Sequence, residues 1–122
     1  MPTTPESRIK IQVNNLTKRF GDLTVLDGIN FNIKEGELLA IVGPTGCGKT
    51  TFLNTLSKLM PATEGEILID GAEANPKKHN ISYVFQEPTC LPWRNVREHV
   101  AYGMEVKGVG KEERKARATQ IL

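Results

Sequence analysis

The feature that most constrains this chain is a glycine-rich segment, Gly43–Thr50, which matches the pattern G-x-x-x-x-G-K-[ST] in full. A continuous apolar run at 38–42 comes before it, and apolar residues at helical spacing follow it. Glycines in such a loop let successive backbone N–H groups converge on one concavity. The following helix adds unpaired N–H donors and a partial positive charge. The segment therefore predicts a phosphate-binding loop in an α/β protein.

The side chains of this segment predict that the phosphates belong to a nucleotide. Lys49 can reach the terminal phosphates, and the hydroxyl of Thr50 suits Mg²⁺, which prefers oxygen ligands. A chance glycine loop is the alternative, and the strand before the loop and the helix after it argue against that. The residues expected to bind the nucleotide here are Gly43, Pro44, Thr45, Gly46, Cys47, Gly48, Lys49, Thr50 and Thr51.

Composition excludes several other classes of protein. The 122 residues carry 16 Lys and Arg against 14 Asp and Glu, too balanced for a nucleic-acid protein driven by bulk charge. The longest apolar run, Leu38–Val42, is far short of the ~20 residues that span a membrane. Residues 1–7 lack the apolar stretch of a signal peptide, and we expect a disordered leader there. Cys47 and Cys90 form neither a disulfide framework nor a metal cluster, which indicates a reducing compartment.

Hydrophobic periodicity predicts the order of the structural elements in the first two thirds of the chain. A helix is expected after Lys49 and is stopped by Pro61, and Asp70-Gly71 is expected to form a turn. A polar loop is expected at 72–80. Strands are predicted at 9–13, 16–20 (its hairpin partner), 29–33, 38–42 (covered on both faces), 66–69 and 81–85.

The last third of the chain is predicted to be irregular and then helical. Pro88 and Pro92 make the segment that contains them irregular. Asn95, with a glutamate three residues later, resembles a helix start that leads into 96–104. Two glycines break this helix, and 111–122 has helical propensity throughout.

Four further segments carry a family resemblance. Phe20-Gly21 lies upstream of the glycine loop, and 26–37 leads into it. Gln86 closes the predicted strand at 81–85, and Leu91-Pro92-Trp93-Arg94-Asn95-Val96 follows. With the loop itself and the stretch 61–71, these residues resemble the ATP-binding subunit of ABC transporters, and most of all the nitrate/sulfonate/taurine importer group.

This resemblance implies the P-loop NTPase fold of an ABC-type nucleotide-binding domain. Its parts would be an N-terminal antiparallel β subdomain and the start of the core sheet, in an incomplete domain. Residues 8–122 would be the N-terminal half, with the P-loop at 43–50, the Q-loop around 86 and the start of the helical subdomain at 95–122. The sequence has no Asp-Glu strand (Walker B), no signature motif and no switch histidine. We therefore expect a fragment that is inactive by itself and insoluble or loosely packed when expressed alone.

The resemblance also implies ATP and Mg²⁺ as ligands, and a role for several residues. Phe20 would stack on adenine, although a core role is the alternative. Val25 lines the same pocket or belongs to the core, and the sequence does not decide between them. Gln86 would contact Mg²⁺ or the attacking water, with Thr50 as the other Mg²⁺ ligand, unless it is simply a polar strand end.

The function implied is the ATP-binding component of an importer, coupling ATP binding and hydrolysis to uptake of a small anion or an organosulfonate-type solute. Pro92, Trp93 and Arg94 would meet the transmembrane permease subunits, although Trp93 could instead pack inward. Other implied partners are a second ATP-binding subunit (a homodimer) and, indirectly, a periplasmic or lipoprotein solute-binding protein, but no nucleic acid. The location would be cytoplasmic, peripheral on the inner face of the membrane through the partner subunits. The alternatives are a nucleotide-binding remnant without hydrolysis and a soluble non-transport ABC ATPase.

Four other patterns are interpreted as structural. The strand ending in Asp70 resembles a Walker B strand, but Gly71 follows it and the turn interpretation is preferred. His79 and His99 match no catalytic spacing and are expected to be solvated. The basic residues between 107 and 117 alternate with glutamates and indicate a solvated helix face. Cys47 is expected to be a small filler residue, yet a thiol beside a helix N-terminus should be reactive.

Overall fold

The computed structural model describes residues 8–122, which fall into two compact units, one ending at Tyr83 and one spanning Val84–Leu122. The leader expected at 1–7 lies outside the described residues. The first unit contains a four-stranded antiparallel sheet and the glycine loop, and the second contains two helices. No helix in the described part of the chain is long and apolar enough to cross a membrane.

A long hairpin forms one side of the sheet. Strand β1 (Ile9–Phe20) pairs with β2 (Leu23–Lys34) through the two-residue turn at Gly21-Asp22. The predicted break at Asn14-Asn15 is wrong, because β1 runs through it and a register shift absorbs the extra residues. Asn15 adopts a φ of 49°, and its N–H donates to Asn30 Oδ1 at 2.8 Å. A polar pair that suggests a turn therefore forms a bulge instead.

The other side of the sheet consists of β3 (Glu64–Ile69) and β4 (Ala72–Glu73), in the order β2-β1-β3-β4. The predicted turn at Asp70-Gly71 is confirmed, with positive φ at both residues. The Asp70 carboxylate accepts hydrogen bonds from Lys10 at 2.7 Å and Arg8 at 3.0 Å. The predicted loop at 72–80 is partly wrong, because β4 and a short helix, α2 (Pro76–His79), occupy it.

Helix α1 (Lys49–Leu56) packs on the sheet through Phe52, whose ring centroid lies 5.5 Å from that of Phe31. It ends before the predicted stop at Pro61, because Lys58 takes a left-handed φ of 61°. The core that α1 completes consists of Val13, Leu16, Leu26, Phe52, Ile67, Ile69 and Ala74.

Two predicted strands are wrong. Residues 38–42 and 81–85 are not strands, and Leu38 and Val42 are 95% and 89% exposed. A strand needs a neighbour for its N–H and C=O groups, and within residues 8–122 the sheet pairs only β1 to β4. The expected start of the core sheet therefore has no ladder in the described residues.

The second unit is a helical pair, α3 (Val96–Val106) and α4 (Lys111–Ile121). The predicted start of α3 is confirmed: Asn95 and Glu98 form a capping box, each side chain accepting from the other's backbone N–H. Ala101 and Ala118 are buried in this unit, and Gly108, with a φ of 78°, separates the helices. Lys107, Lys111, Lys115 and Arg117 are exposed, as expected for a solvated face. Arg114 departs from that expectation, because it is half-buried and donates to the Val109 carbonyl at 3.2 Å.

Candidate functional site

The glycine loop owes its shape to two left-handed residues. Gly46 has a φ of 81° and Gly48 a φ of 103°, a region that side chains rarely adopt. Between them the Cys47 N–H donates to the Pro44 carbonyl at 3.3 Å. The chain therefore turns tightly after residue 42 and enters α1 at Lys49.

Two loop glycines lie close to neighbouring atoms, and Gly48 combines this with a left-handed φ. A Cβ on Gly43 would lie 2.7 Å from Cys47 Sγ, and one on Gly48 would lie 2.9 Å from Val25 Cγ1. The loop backbone thus rests on Val25 of β2. Val25 is half-buried and is not one of the buried core residues. The structure therefore brings Val25 to the glycine loop.

The N-terminus of α1 is open to an anion. Gly48 is its N-cap, no side chain caps it, and its first turn holds no acidic residue. The free N–H groups of the first turn and the helix dipole favour negative charge at this point. Thr50 lies exposed on the same turn, and Thr51 beside it is half-buried.

Lys49 places a positive charge on the loop. Its ammonium donates to the carbonyls of Gly43 at 2.6 Å and Pro44 at 2.8 Å, and lies 3.7 Å from Cys47 Sγ. These are exposed contacts within one turn of chain. The arrangement combines backbone donors, a helix N-terminus and an ammonium group, which is the chemistry that phosphate groups require.

Phe20 lies at the tip of the hairpin, 46% exposed. Lys18 Nζ lies 5.1 Å from the ring centroid and also donates to the Pro61 carbonyl at 2.7 Å. This cation–π contact stabilises the ring at the surface. Sequence reasoning missed it, although the i, i+2 spacing of Lys18 and Phe20 on one strand face was available as a signal. The core alternative for Phe20 does not fit its exposure.

A cavity of about 430 Å³ lies beside the loop in the first unit. Apolar side chains of β2 and α1 form much of its lining, among them Leu26, Phe31 and Phe52. Residues 39–42 and the loop residues Cys47, Gly48 and Lys49 complete it. The loop residues predicted to bind phosphate thus lie beside an apolar surface.

Gln86 belongs to the second unit and is exposed, outside any helix or strand. Thr50 belongs to the first unit. The residues described contain no group of three or more His, Cys, Asp or Glu side chains that could hold a metal ion. The hydroxyl of Thr50 fits the oxygen ligands that Mg²⁺ prefers.

The residues predicted to meet a partner differ sharply in exposure. Trp93 is 74% exposed, so it does not pack inward within its unit, and Pro92 is exposed beside it. The Arg94 side chain is only 22% exposed. Its guanidinium donates to Glu105 Oε2 at 2.7 Å and Oε1 at 3.4 Å, and lies 4.9 Å from the Tyr102 ring centroid. The hydrogen bond from Arg94 holds the pKa of the Glu105 carboxyl below its usual value.

The two histidines are structural rather than merely solvated. His79 Nδ1 accepts the Asn75 N–H at 3.0 Å, and His99 Nε2 accepts the Leu91 N–H at 2.8 Å. His99 Nδ1 also lies 2.9 Å from the Asn95 carbonyl. The expectation of solvated histidines is therefore wrong, because each ring holds a local turn.

The sequence model of the family described as ABC transporter matches residues 26–122, a range that includes the loop, α1 and both helices of the second unit. The chain belongs to this family. Solved structures with a similar fold are ATP-binding cassettes too. One of them was solved as a dimer in a post-hydrolysis state with bound ADP and Pi; it is 33% identical to this chain, with a TM-score of 0.76. That comparison covers 90% of this chain and 54% of the other. The predicted P-loop NTPase fold is confirmed.

Curated relatives include importers of different solutes. An uncharacterized ABC transporter ATP-binding protein of Methanocaldococcus jannaschii is 42% identical over 88% of this chain. The taurine import ATP-binding protein TauB of Escherichia coli O157:H7 is 38% identical over 92% of it. The Fe(3+) ions import ATP-binding protein FbpC of Escherichia coli K12 is 39% identical over 92%. The chain spans 42%, 44% and 33% of these three relatives.

Proposed function

We propose that this chain is the nucleotide-binding part of an importer's ATPase subunit, and that the loop Gly43–Thr50 binds the phosphates of ATP. The observation that carries the proposal is the Lys49 ammonium beside an uncapped helix N-terminus on a loop of left-handed glycines. Charge-assisted hydrogen bonds from such groups recognise phosphate strongly. The relatives named above are ATP-binding proteins, and one fold neighbour binds ADP and Pi.

The roles proposed for other residues of the first unit follow from their placement. Phe20 offers an exposed ring for stacking on adenine, and the side chain of Val25 packs against the loop at Gly48. Thr50 would supply a hydroxyl to Mg²⁺, which when bound neutralises phosphate charge. A contact of Gln86 with Mg²⁺ or water remains a prediction from the resemblance. Hydrolysis belongs, in this proposal, to an assembled dimer of ATPase subunits.

We place the solute in the class suggested by the importer group, a small anion or an organosulfonate. The resemblance of segment 91–96 to that importer group and the similarity to TauB support this choice. The similarity to a ferric-ion importer is nearly equal, so overall identity does not choose between the solutes, and the choice rests on the resemblance of segment 91–96. The same segment would dock on permease subunits at the inner face of the membrane, because exposed Trp is a frequent interface anchor.

The experiment that tests the phosphate site compares K49A with K107A. Lys107 is an exposed lysine at the end of α3, so it serves as a control for charge. The full chain, carried on a solubilising fusion partner, is titrated with a fluorescent ATP analogue. We expect K49A to weaken binding about tenfold or more, because a charge-assisted hydrogen bond contributes roughly 1.5–3 kcal/mol. Equal affinity of K49A, K107A and the unchanged chain would overturn the proposal.

A further inference from the structure

The irregular segment that carries Trp93 is held in place by side chains of the following helix. We name residues 91–95 the Trp93 turn. Its first N–H, from Leu91, donates to His99 Nε2 at 2.8 Å, and its last, from Asn95, donates to Glu98 Oε2 at 2.9 Å. Within the turn the Arg94 N–H donates to the Leu91 carbonyl at 3.0 Å. A segment without helix or strand thus has a defined backbone.

Arg94 adds the longest-range restraint on this turn. Its guanidinium binds both carboxylate oxygens of Glu105, ten residues into α3, and lies against the ring of Tyr102. Arg114 of α4 lies 4.0 Å from the same carboxylate. A planar guanidinium that is both paired and stacked has little freedom.

The two adjacent side chains therefore behave in opposite ways. Arg94 is committed to contacts inside its own unit, whereas Trp93 is exposed and has no ring partner among the described residues. Val96, three residues further along the chain, is a second exposed apolar side chain, at 68%. An exposed tryptophan on a fixed backbone is costly to leave in water and well suited to fill an apolar pocket.

We propose that Arg94 is a positioning residue: its pairing with Glu105 fixes the backbone of the Trp93 turn on α3, so that Trp93 is presented at a fixed place to the membrane partner. The inference rests on the docking surface proposed above and replaces the expectation that Arg94 itself meets the partner. Preorganisation raises affinity because less conformational entropy is lost on binding.

Trp93 is the single tryptophan of the sequence, so its fluorescence anisotropy reports directly on the turn. The full chain is measured on a tryptophan-free solubilising carrier. We expect R94K to lower the residual anisotropy of Trp93, the part left after fast local motion, by about twofold. Lysine keeps the positive charge but cannot pair with Glu105 and stack on Tyr102 at once. The matched control is R97K on exposed Arg97, which has no ion pair in the part of the chain that the structure describes.

A charge exchange separates positioning from loss of folding. E105R alone should lower the anisotropy as R94K does, and R94E/E105R should restore part of it, with the helical circular dichroism kept throughout. The recovery is partial because the contact of Arg94 with Tyr102 is lost and Arg114 lies beside position 105. Restoration cannot come from a variant that has merely unfolded. Unchanged anisotropy in R94K and E105R, or no recovery in the double variant, would overturn the positioning role.

Binding to inverted vesicles of the source cell membrane tests the docking half separately. W93A should lose most of the vesicle binding and R94K part of it, whereas R97K should bind normally. Full binding by W93A would overturn the docking surface, whatever the anisotropy shows. A third outcome would overturn the link between rigidity and docking: W93A loses vesicle binding, whereas R94K binds fully although its anisotropy is low.

Discussion

The glycine loop of the first unit and the Trp93 turn of the second are both irregular segments that lead into a helix, but they are ordered by different means. The loop takes its shape mainly from backbone conformation, with left-handed φ at Gly46 and Gly48 and no side-chain cap on α1, and Lys49 adds hydrogen bonds to two loop carbonyls. The Trp93 turn takes its shape from side chains, through His99, the Asn95–Glu98 box and the Arg94–Glu105 pair. Backbone order leaves N–H groups available for a ligand, whereas side-chain order leaves one apolar ring exposed for a protein surface.

The largest effect that would test this contrast comes from adding one methyl group to the loop. G48A should raise the free energy of the bound loop conformation by about 1–2 kcal/mol from the left-handed φ alone, and the contact with Val25 adds to it. We expect ATP affinity to fall at least tenfold in an equilibrium titration. The matched control is G103A, within α3 at a position with free space around it, which should stabilise the helix and leave ATP affinity unchanged.

A smaller effect is expected from the loop thiol. Cys47 lies exposed beside the α1 N-terminus, with its Sγ 3.7 Å from the Lys49 ammonium, so an alkylating reagent can reach it on the loop. Alkylation of Cys47 should block nucleotide binding, and Mg-ATP should slow its rate several-fold, while exposed Cys90 serves as the internal control. Mass-spectrometric rates at Cys47 that are equal with and without saturating nucleotide would contradict the prediction.

The smallest expected effect concerns the stability of the Trp93 turn at acid pH. The hydrogen bond from Arg94 lowers the pKa of Glu105, so the folded state binds this proton less readily than the unfolded state. The resulting stabilisation is complete above the usual glutamate pKa and is lost as the pH falls through the lowered value. The free energy of unfolding of E105Q, taken from melting curves, should therefore fall less below about pH 4.5 than that of the unchanged chain.

Asp70 provides the comparison in the first unit, because the hydrogen bond from Lys10 lowers its pKa in the same way. D70N should reduce the acid sensitivity of the sheet without altering the Trp93 anisotropy. If E105Q and the unchanged chain showed identical pH profiles, the Arg94–Glu105 pair would not stabilise the folded turn.

The contrast also explains what could be predicted from sequence. The loop was predictable because left-handed glycines and a following lysine leave a fixed pattern, G-x-x-x-x-G-K-[ST]. The capping box at Asn95 was predictable for the same reason, since both of its residues lie within one helical turn. Arg94 and Glu105 are 11 residues apart, well beyond one helical turn, and the packing of the turn on α3 brings them together.

The errors in the fold have a common physical origin. The apolar runs at 38–42 and 81–85 carry the composition of buried strands, but pairing depends on neighbours that periodicity does not reveal. Within residues 8–122 neither run has a strand beside it. At Asn14-Asn15 the local preference for a turn was overridden by the ladder on both sides of β1, with Gly65 leaving room for the Asn15 carbonyl.

Phosphate binding by the glycine loop is tested most directly by amide hydrogen exchange across the loop and α1, measured on the full chain with and without Mg-ATP. We predict slower exchange on binding at the N–H groups of Gly46 to Thr51, because these backbone donors would bind the phosphates. The amides of the Trp93 turn should be unchanged in the same experiment. If saturating Mg-ATP left exchange in the loop unaltered, the loop would not be the phosphate site.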